Sequence, residues 1–235
     1  MDKNNTRTLD IIRGTPLILP GNQRALELVR IGHSLADWDF KPAGCFRIQN
    51  TYKISEPSAI ELCYWGCPGV YGWAFLKPAL GACIPQGRFV TWWRAAKGID
   101  QPLDNFFRAQ ALPTNGLSAN CYYWHLNLAW ASLTRRTNGI DTDLGGGAIN
   151  PPFTPETWAH YRYTWYEYLD TGLNRVLRCI FEKEVAGTWT VMVTIDDPTN
   201  AWADSAVNRV GFSAASWNYA PLGIYDDTEI WKKAV

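Results

Sequence analysis

Carboxylates two residues apart on a strand project from one face, so Glu182-Lys183-Glu184 is the nearest approach to a paired-acid site. The pair adjoins a Val185-Ala186-Gly187 turn and has a lysine between its acids. A hairpin end shields an acid poorly, so surface charge is expected there and not catalysis. A lyase-type site needs a neutralising Arg or Gln beside a His/Tyr pair for proton transfer. His160-Tyr161-Arg162 and Tyr123-x-His125 carry those residue types, yet a tyrosine-rich sheet produces such runs by itself. Nothing reads Gly-x-Ser-x-Gly, and no glycine-rich loop opens a helix to cradle phosphate. Gly145-Gly146-Gly147 reads as a flexible loop, with Asp141-x-Asp143 just before it as a small oxygen cluster.

The elements that must hold these residues are strands. Phe46 and Ile48, Ile60 to Tyr64, Tyr122 to Leu128, Trp189 to Ile195 and Val210 to Ala214 all alternate with a period of two. Such alternation predicts one buried and one wet face, with Trp189, Val191, Val193, Val210 and Phe212 in the core. Further strands are expected over 88–95, 105–112, 160–168, 175–185 and 224–232. Residues 25–33 fit a short helix or a first strand. Turns are expected at Thr137-Asn138-Gly139 and Ala186-Gly187. Ten to twelve short strands between turns describe an all-β antiparallel sandwich spanning 25–235.

Residues 1–24 are polar and interrupted by Gly14, Pro16, Pro20 and Gly21, which predicts an extended N-terminal arm. Its apolar residues Leu9, Ile11, Ile12, Leu17, Ile18 and Leu19 are too few for a core and are expected to dock on another subunit. The N-terminus lacks the apolar stretch of a signal peptide, and no apolar run is long enough to span a bilayer. The chain has 22 Lys+Arg and 22 Asp+Glu, so it has no basic field for nucleic acid. Without a signal peptide, Cys45, Cys63, Cys67, Cys83, Cys121 and Cys179 are expected as free thiols.

The second half has a recognisable order. Trp158 to Trp165 is followed by Leu177 to Glu182, then by Gly187-Thr188-Trp189, Asn208-Arg209-Val210-Gly211-Phe212 and Ile224-Tyr225-Asp226-Asp227-Thr228-Glu229-Ile230-Trp231. Over roughly 155–232 this resembles the concanavalin A-like lectin/glucanase superfamily, in particular its laminin-G-like jelly rolls. The resemblance implies a jelly-roll strand order. It implies calcium at Asp226, where many members hold the ion at the start of the last strand; otherwise Asp226 and Asp227 cap loops or pair with basic residues. Glycosidases of the superfamily carry Glu-x-Asp-x-Glu on one strand, and this chain has no such run.

With 13 Trp and 11 Tyr in one domain, aromatic contact surfaces are expected beyond the core. Trp65, Tyr123, His125, His160 and Arg162 are the residues expected to bind a carbohydrate or a protein partner. The leading expectation is a non-catalytic structural protein of a large assembly, such as a phage capsid decoration or tail protein located in the virion and contacting other subunits. The alternative is a carbohydrate-binding module or adhesin for cell-surface glycans. A polysaccharide-active enzyme ranks third.

Overall fold

Alternation along β8 (Cys121–Leu126) sends Tyr122, Trp124 and Leu126 into one core and Cys121 and Tyr123 the other way. The computed structural model describes residues 26–31, 35–41, 46–54, 59–62, 72–77, 79, 83–96, 103–110, 120–214 and 223–233. The other strands before it are β1 (Leu26–Ile31), β2 (Trp38–Lys41), β3 (Phe46–Gln49), β4 (Ala59–Leu62), β5 (Gly72–Leu76), β6 (Gly87–Ala95) and β7 (Leu103–Ala109). Those after it are β9 (Trp130–Thr137), β10 (Ile140–Ala148), β11 (Trp158–Leu169), β12 (Arg175–Val185), β13 (Thr188–Asp197), β14 (Arg209–Ala214) and β15 (Gly223–Lys233). Residues 26–31 are therefore a strand, which settles the ambiguity over 25–33.

These strands form two antiparallel sheets. One has eight strands in the order β13-β12-β11-β6-β15-β4-β3, with β1 also paired to β15. The other has seven, in the order β10-β9-β8-β7-β14-β5-β2. Between them lies an aromatic core that includes Trp38, Phe89, Trp93, Phe107, Trp124, Tyr161, Tyr163, Trp165, Phe181 and Phe212. Phe89 stacks on Tyr163 and Phe107 on Tyr122, with centroids 5.0 and 5.4 Å apart. Buried hydroxyls are paired: Tyr161 and Tyr225 share Asn105 Oδ1, at 3.0 and 3.1 Å.

Three expectations need correction. Val193, Val210 and Phe212 are buried, but Val191 is 54% exposed and Trp189 is only half-buried. The β12–β13 register pairs Phe181 with Val193 and Glu182 with Val191, so Met192 is an extra residue that reverses the phase of the strand. Gly145-Gly146-Gly147 is not a loop but part of β10. A Cβ on Gly146 would lie 2.6 Å from the Ala131 carbonyl oxygen, and one on Gly147 would press on Val193, so the glycines permit close packing along this side of the sandwich. Lastly, β7 and β8 have no wet face over much of their length. Trp73, Phe75, Phe106, Ala109, Cys121 and Tyr123 form a second buried cluster on the outer side of the seven-stranded sheet.

Two polar knots fix the 197–208 loop. Arg108 is fully buried, with Nε donating to the Pro85 carbonyl, Nη1 to Asn200 and Ala201, and Nη2 to Glu167 at 2.6 Å. Both carboxylate oxygens of Asp197 accept from Arg135 Nη1 and one also from the Tyr122 hydroxyl, which in turn accepts from the Ala201 amide.

Candidate functional site

Trp92 and Trp93 are adjacent on β6, so they must send one ring to each face. Trp93 enters the core, fully buried, and Trp92 lies half-buried on the outer face of the eight-stranded sheet. Strand β11 sets His160 opposite Trp92, and the rings stack with centroids 4.4 Å apart and planes 4° apart. Trp158 and Arg162 share that face by the same alternation. The hairpin from β12 to β13 turns on Ala186 and Gly187, both at positive φ (51° and 79°), which suits a two-residue connection. It places Glu184 opposite Trp189. His160 Nδ1 then lies 2.6 Å from Glu184 Oε2, and the ring of Trp189 lies 4.6 Å from that of His160. Arg162 covers Trp189 at 4.2 Å and grips Glu182 with two bonds of 2.6 and 2.7 Å.

Beside this stack is an open depression of about 280 Å³, walled by Trp92, Trp158, His160, Glu184, Pro151 and Thr154 among others. Lys183 also borders it; its ammonium donates to the carbonyls of Pro151 and Pro152 at 2.7 and 2.9 Å and fixes that rim. Burial pushes the His160 pKa down; the Glu184 carboxylate opposes the shift without cancelling it. The site is therefore a partly apolar hollow with aromatic rings, a neutral imidazole and acceptor oxygens. Glu182 and Glu184 are not loose surface charge as expected: each is tied to a basic partner on this face.

The other predicted pair lies on the opposite side of the molecule. Tyr123 and His125 project from the outer face of the seven-stranded sheet, so the sequence candidates divide between two faces. Tyr123 is 7% exposed within the second cluster, beneath the Arg136 guanidinium at 5.3 Å. His125, the more exposed partner, bonds Asp104 at 2.6 Å through Nδ1. Burial raises the Asp104 pKa, partly offset by His125. Trp65 and the arm residues Leu9, Ile11, Ile12, Leu17, Ile18 and Leu19 lie outside the described residues, as do Cys45, Cys63 and Cys67. Cys83, Cys121 and Cys179 are free thiols.

Asp226 stands at a bulge where β15 departs from β6. Its carboxylate accepts the backbone amides of Ile54 and Asp227, and its own carbonyl accepts from the Thr91 hydroxyl at 3.1 Å. Both carboxylate oxygens thus face N–H groups, which suits loop capping. A calcium ion needs six to eight oxygens. Among the described residues no three His, Cys, Asp or Glu converge at Asp226, so a calcium ion there would draw on carbonyl oxygens as well. Asp141 is held in two bonds by Arg136, and Asp143 caps the Gly145 amide.

Trp92 and Trp158 are the site residues that sequence reasoning did not single out, while Glu184 was expected as surface charge and Trp189 as core. The Trp92-Trp93 doublet and the position of Trp158 two residues before His160 were the available signals.

No protein-family model matches the chain, and no curated protein does. Solved structures do. The carbohydrate recognition domain of Emp46p, in a potassium-bound form, aligns with a TM-score of 0.55 at 13% identity, over 86% of this chain and 90% of that one. The exoplasmic/lumenal domain of VIP36, in a form bound to Ca²⁺ and Man3GlcNAc, gives 0.55 at 10% identity over 87% and 89%. The CBM2 module of an evolved Dit from Lactobacillus casei BL23 phage J-1 gives 0.51 at 8% identity over 92% and 99%. At these identities the likeness concerns the backbone. The two antiparallel sheets and the breadth of these alignments show that this chain has the concanavalin A-like lectin fold.

Proposed function

We propose that the chain is a non-catalytic carbohydrate-recognition module that binds sugar in the Trp92–Trp158–His160 depression. The observation that carries this reading is the hollow itself. Half-buried indoles stand beside a neutral imidazole and the Glu184 carboxylate, on rigid strands and a rim fixed by Lys183. Aromatic rings suit the apolar faces of a pyranose, and a few placed polar groups fix its hydroxyls. The acids at the site are tied to Arg162 and His160, which supports recognition over hydrolysis. The likeness to a carbohydrate recognition domain and to a sugar-bound form of VIP36 supports the same reading. A glycan array probed with the intact chain and with Trp158→Ala tests it. Binding to a defined glycan set that Trp158→Ala abolishes is expected; an array without binders, or binders indifferent to the substitution, would count against it.

The likeness to a phage Dit module favours a more specific setting. In that setting the module is an adhesin carried on a virion, and residues 1–24 tie it to another subunit. Ordering such an arm costs about 1–2 kcal/mol of backbone entropy per residue, which contacts with a neighbour would offset. Deleting residues 1–20 is then expected to leave the sandwich folded and to abolish incorporation into particles. A truncated chain that unfolds, or that still incorporates, would rule the arm out as the tether.

A further inference from the structure

Arg88 shares the outer face of β6 with Val90 and Trp92 and sits about 13 Å along the strand from Trp92, four residues at ~3.3 Å each. It is 6% exposed. Nε donates to the Thr164 hydroxyl at 2.9 Å, while Nη1 is buried with no hydrogen-bond partner. Glu182 lies within electrostatic reach, but both of its oxygens are taken by Arg162. This part of the face therefore holds two guanidinium groups and two carboxylates, of which Glu182 is committed to Arg162. Glu229, opposite Val90 on β15, directs Oε2 to the Trp231 indole at 2.9 Å. Burial and the Arg162 charge push the Arg88 pKa down to about 10, with Glu182 opposing, so Arg88 stays charged at neutral pH.

A desolvated cation with an orphaned donor is costly to keep, and a planar guanidinium matches a carboxylate through two parallel bonds. We infer that this face selects carboxylate-bearing glycans, with Arg88 receiving the sugar carboxylate of a chain that runs from the Trp92–Trp158–His160 depression along β6. The inference rests on the carbohydrate reading above and adds the chemical class of sugar. Trp231 lies opposite Arg88 in the β15–β6 register and is half-buried.

The test uses uronic-acid oligosaccharides (galacturonate, glucuronate and mannuronate), each paired with its carboxyl-reduced form, in calorimetric titrations of the full chain. At least one acid form is expected to bind about tenfold or more tightly than its reduced form, as a charge-assisted hydrogen bond of ~1.5–3 kcal/mol would give. Arg88→Gln should remove that difference and leave binding of the reduced form unchanged, with melting followed to confirm folding. Arg88→Lys keeps the charge without the fork and should retain part of the preference. Equal binding of every acid and reduced pair by the unaltered chain would overturn the acid selectivity while leaving the carbohydrate reading intact. Equal weakening of both forms by a folded Arg88→Gln would show a merely structural arginine. If no acid, reduced or neutral glycan binds at all, the carbohydrate reading itself falls.

Discussion

His160 lies flat against Trp92, 4.4 Å between ring centroids, while its Nδ1 bonds Glu184 at 2.6 Å on the neighbouring strand. One imidazole thus joins an aromatic wall to a carboxylate across β6, β11 and β12. Trp92→Ala removes the wall and exposes the His160 ring. Because Trp92 is an outer-face residue, the fold should survive. Glycan affinity is expected to fall about tenfold, in line with aromatic contacts of ~0.5–1.5 kcal/mol plus lost apolar area. Titration calorimetry, with circular dichroism to confirm folding, reads both effects.

The environment of His160 predicts a pH dependence. Its folded-state pKa is lowered by burial, so between that value and the ordinary histidine value of 6.5 the unfolded chain binds more protons. Stability from this group is therefore complete above 6.5 and is lost as pH falls below 6.5 towards the folded pKa. Replacing His160 with Gln should flatten the melting temperature over that acidic interval relative to the unaltered chain. Parallel curves for the two proteins would mean that His160 is not the titrating group.

Arg108 is the deepest charge among the described residues, in a left-handed backbone conformation (φ 48°) and bonded to Pro85, Asn200, Ala201 and Glu167. Arg108→Met should leave Glu167 with only Arg175 as a partner and free the Asn200–Ala201 loop. A loss of ~3–5 kcal/mol in urea unfolding is expected, the range for breaking a buried pair. A loss under about 1 kcal/mol would show that the 197–208 loop is held without Arg108, by Asp197 and the Asn208 and Asp204 contacts.

The bulge at Met192 gives a pair of opposite outcomes one residue to either side. Val191→Thr, on the exposed side, should change stability by no more than about 0.5 kcal/mol. Val193→Ala, facing the core and Gly147, should lose about 1.5–3 kcal/mol. Comparable losses at both positions would contradict the register.

Capping of the Ile54 and Asp227 amides by Asp226 predicts that chelation has no effect here. Excess EDTA should leave the melting temperature and glycan affinity unchanged, and a drop in either would reveal a cation at work.

Much of this architecture was legible in the residue pattern. Alternation from Tyr161 to Trp165 and from Leu177 to Phe181 places the right side chains inside, because both stretches pair without interruption. The phase change in β13 was not legible, since a bulge is decided by the register against β12 and leaves no mark in Val191-Met192-Val193 itself. The three glycines of β10 read as a loop because what explains them is tertiary: the positive φ of Gly145 and the approach of Trp130 to Gly146 and of Val193 to Gly147. His160 and Arg162 were visible as candidates. Their union with Trp92 and Glu184 depends on strands far apart in sequence, so it emerged only with the sheet order. Tyr123 and His125 looked equivalent to them but occupy the opposite face, which no local pattern could reveal.

The most direct measurement is an NMR titration of the ¹⁵N-labelled chain with the best-binding glycan, following the tryptophan indole N–H signals assigned through Trp92→Phe and Trp158→Phe. Sugar recognition in the depression predicts that the Trp92 and Trp158 signals shift on binding, while that of the core residue Trp124 does not. Shifts confined to residues around His125 and Asp104, or none with any glycan, would contradict the account.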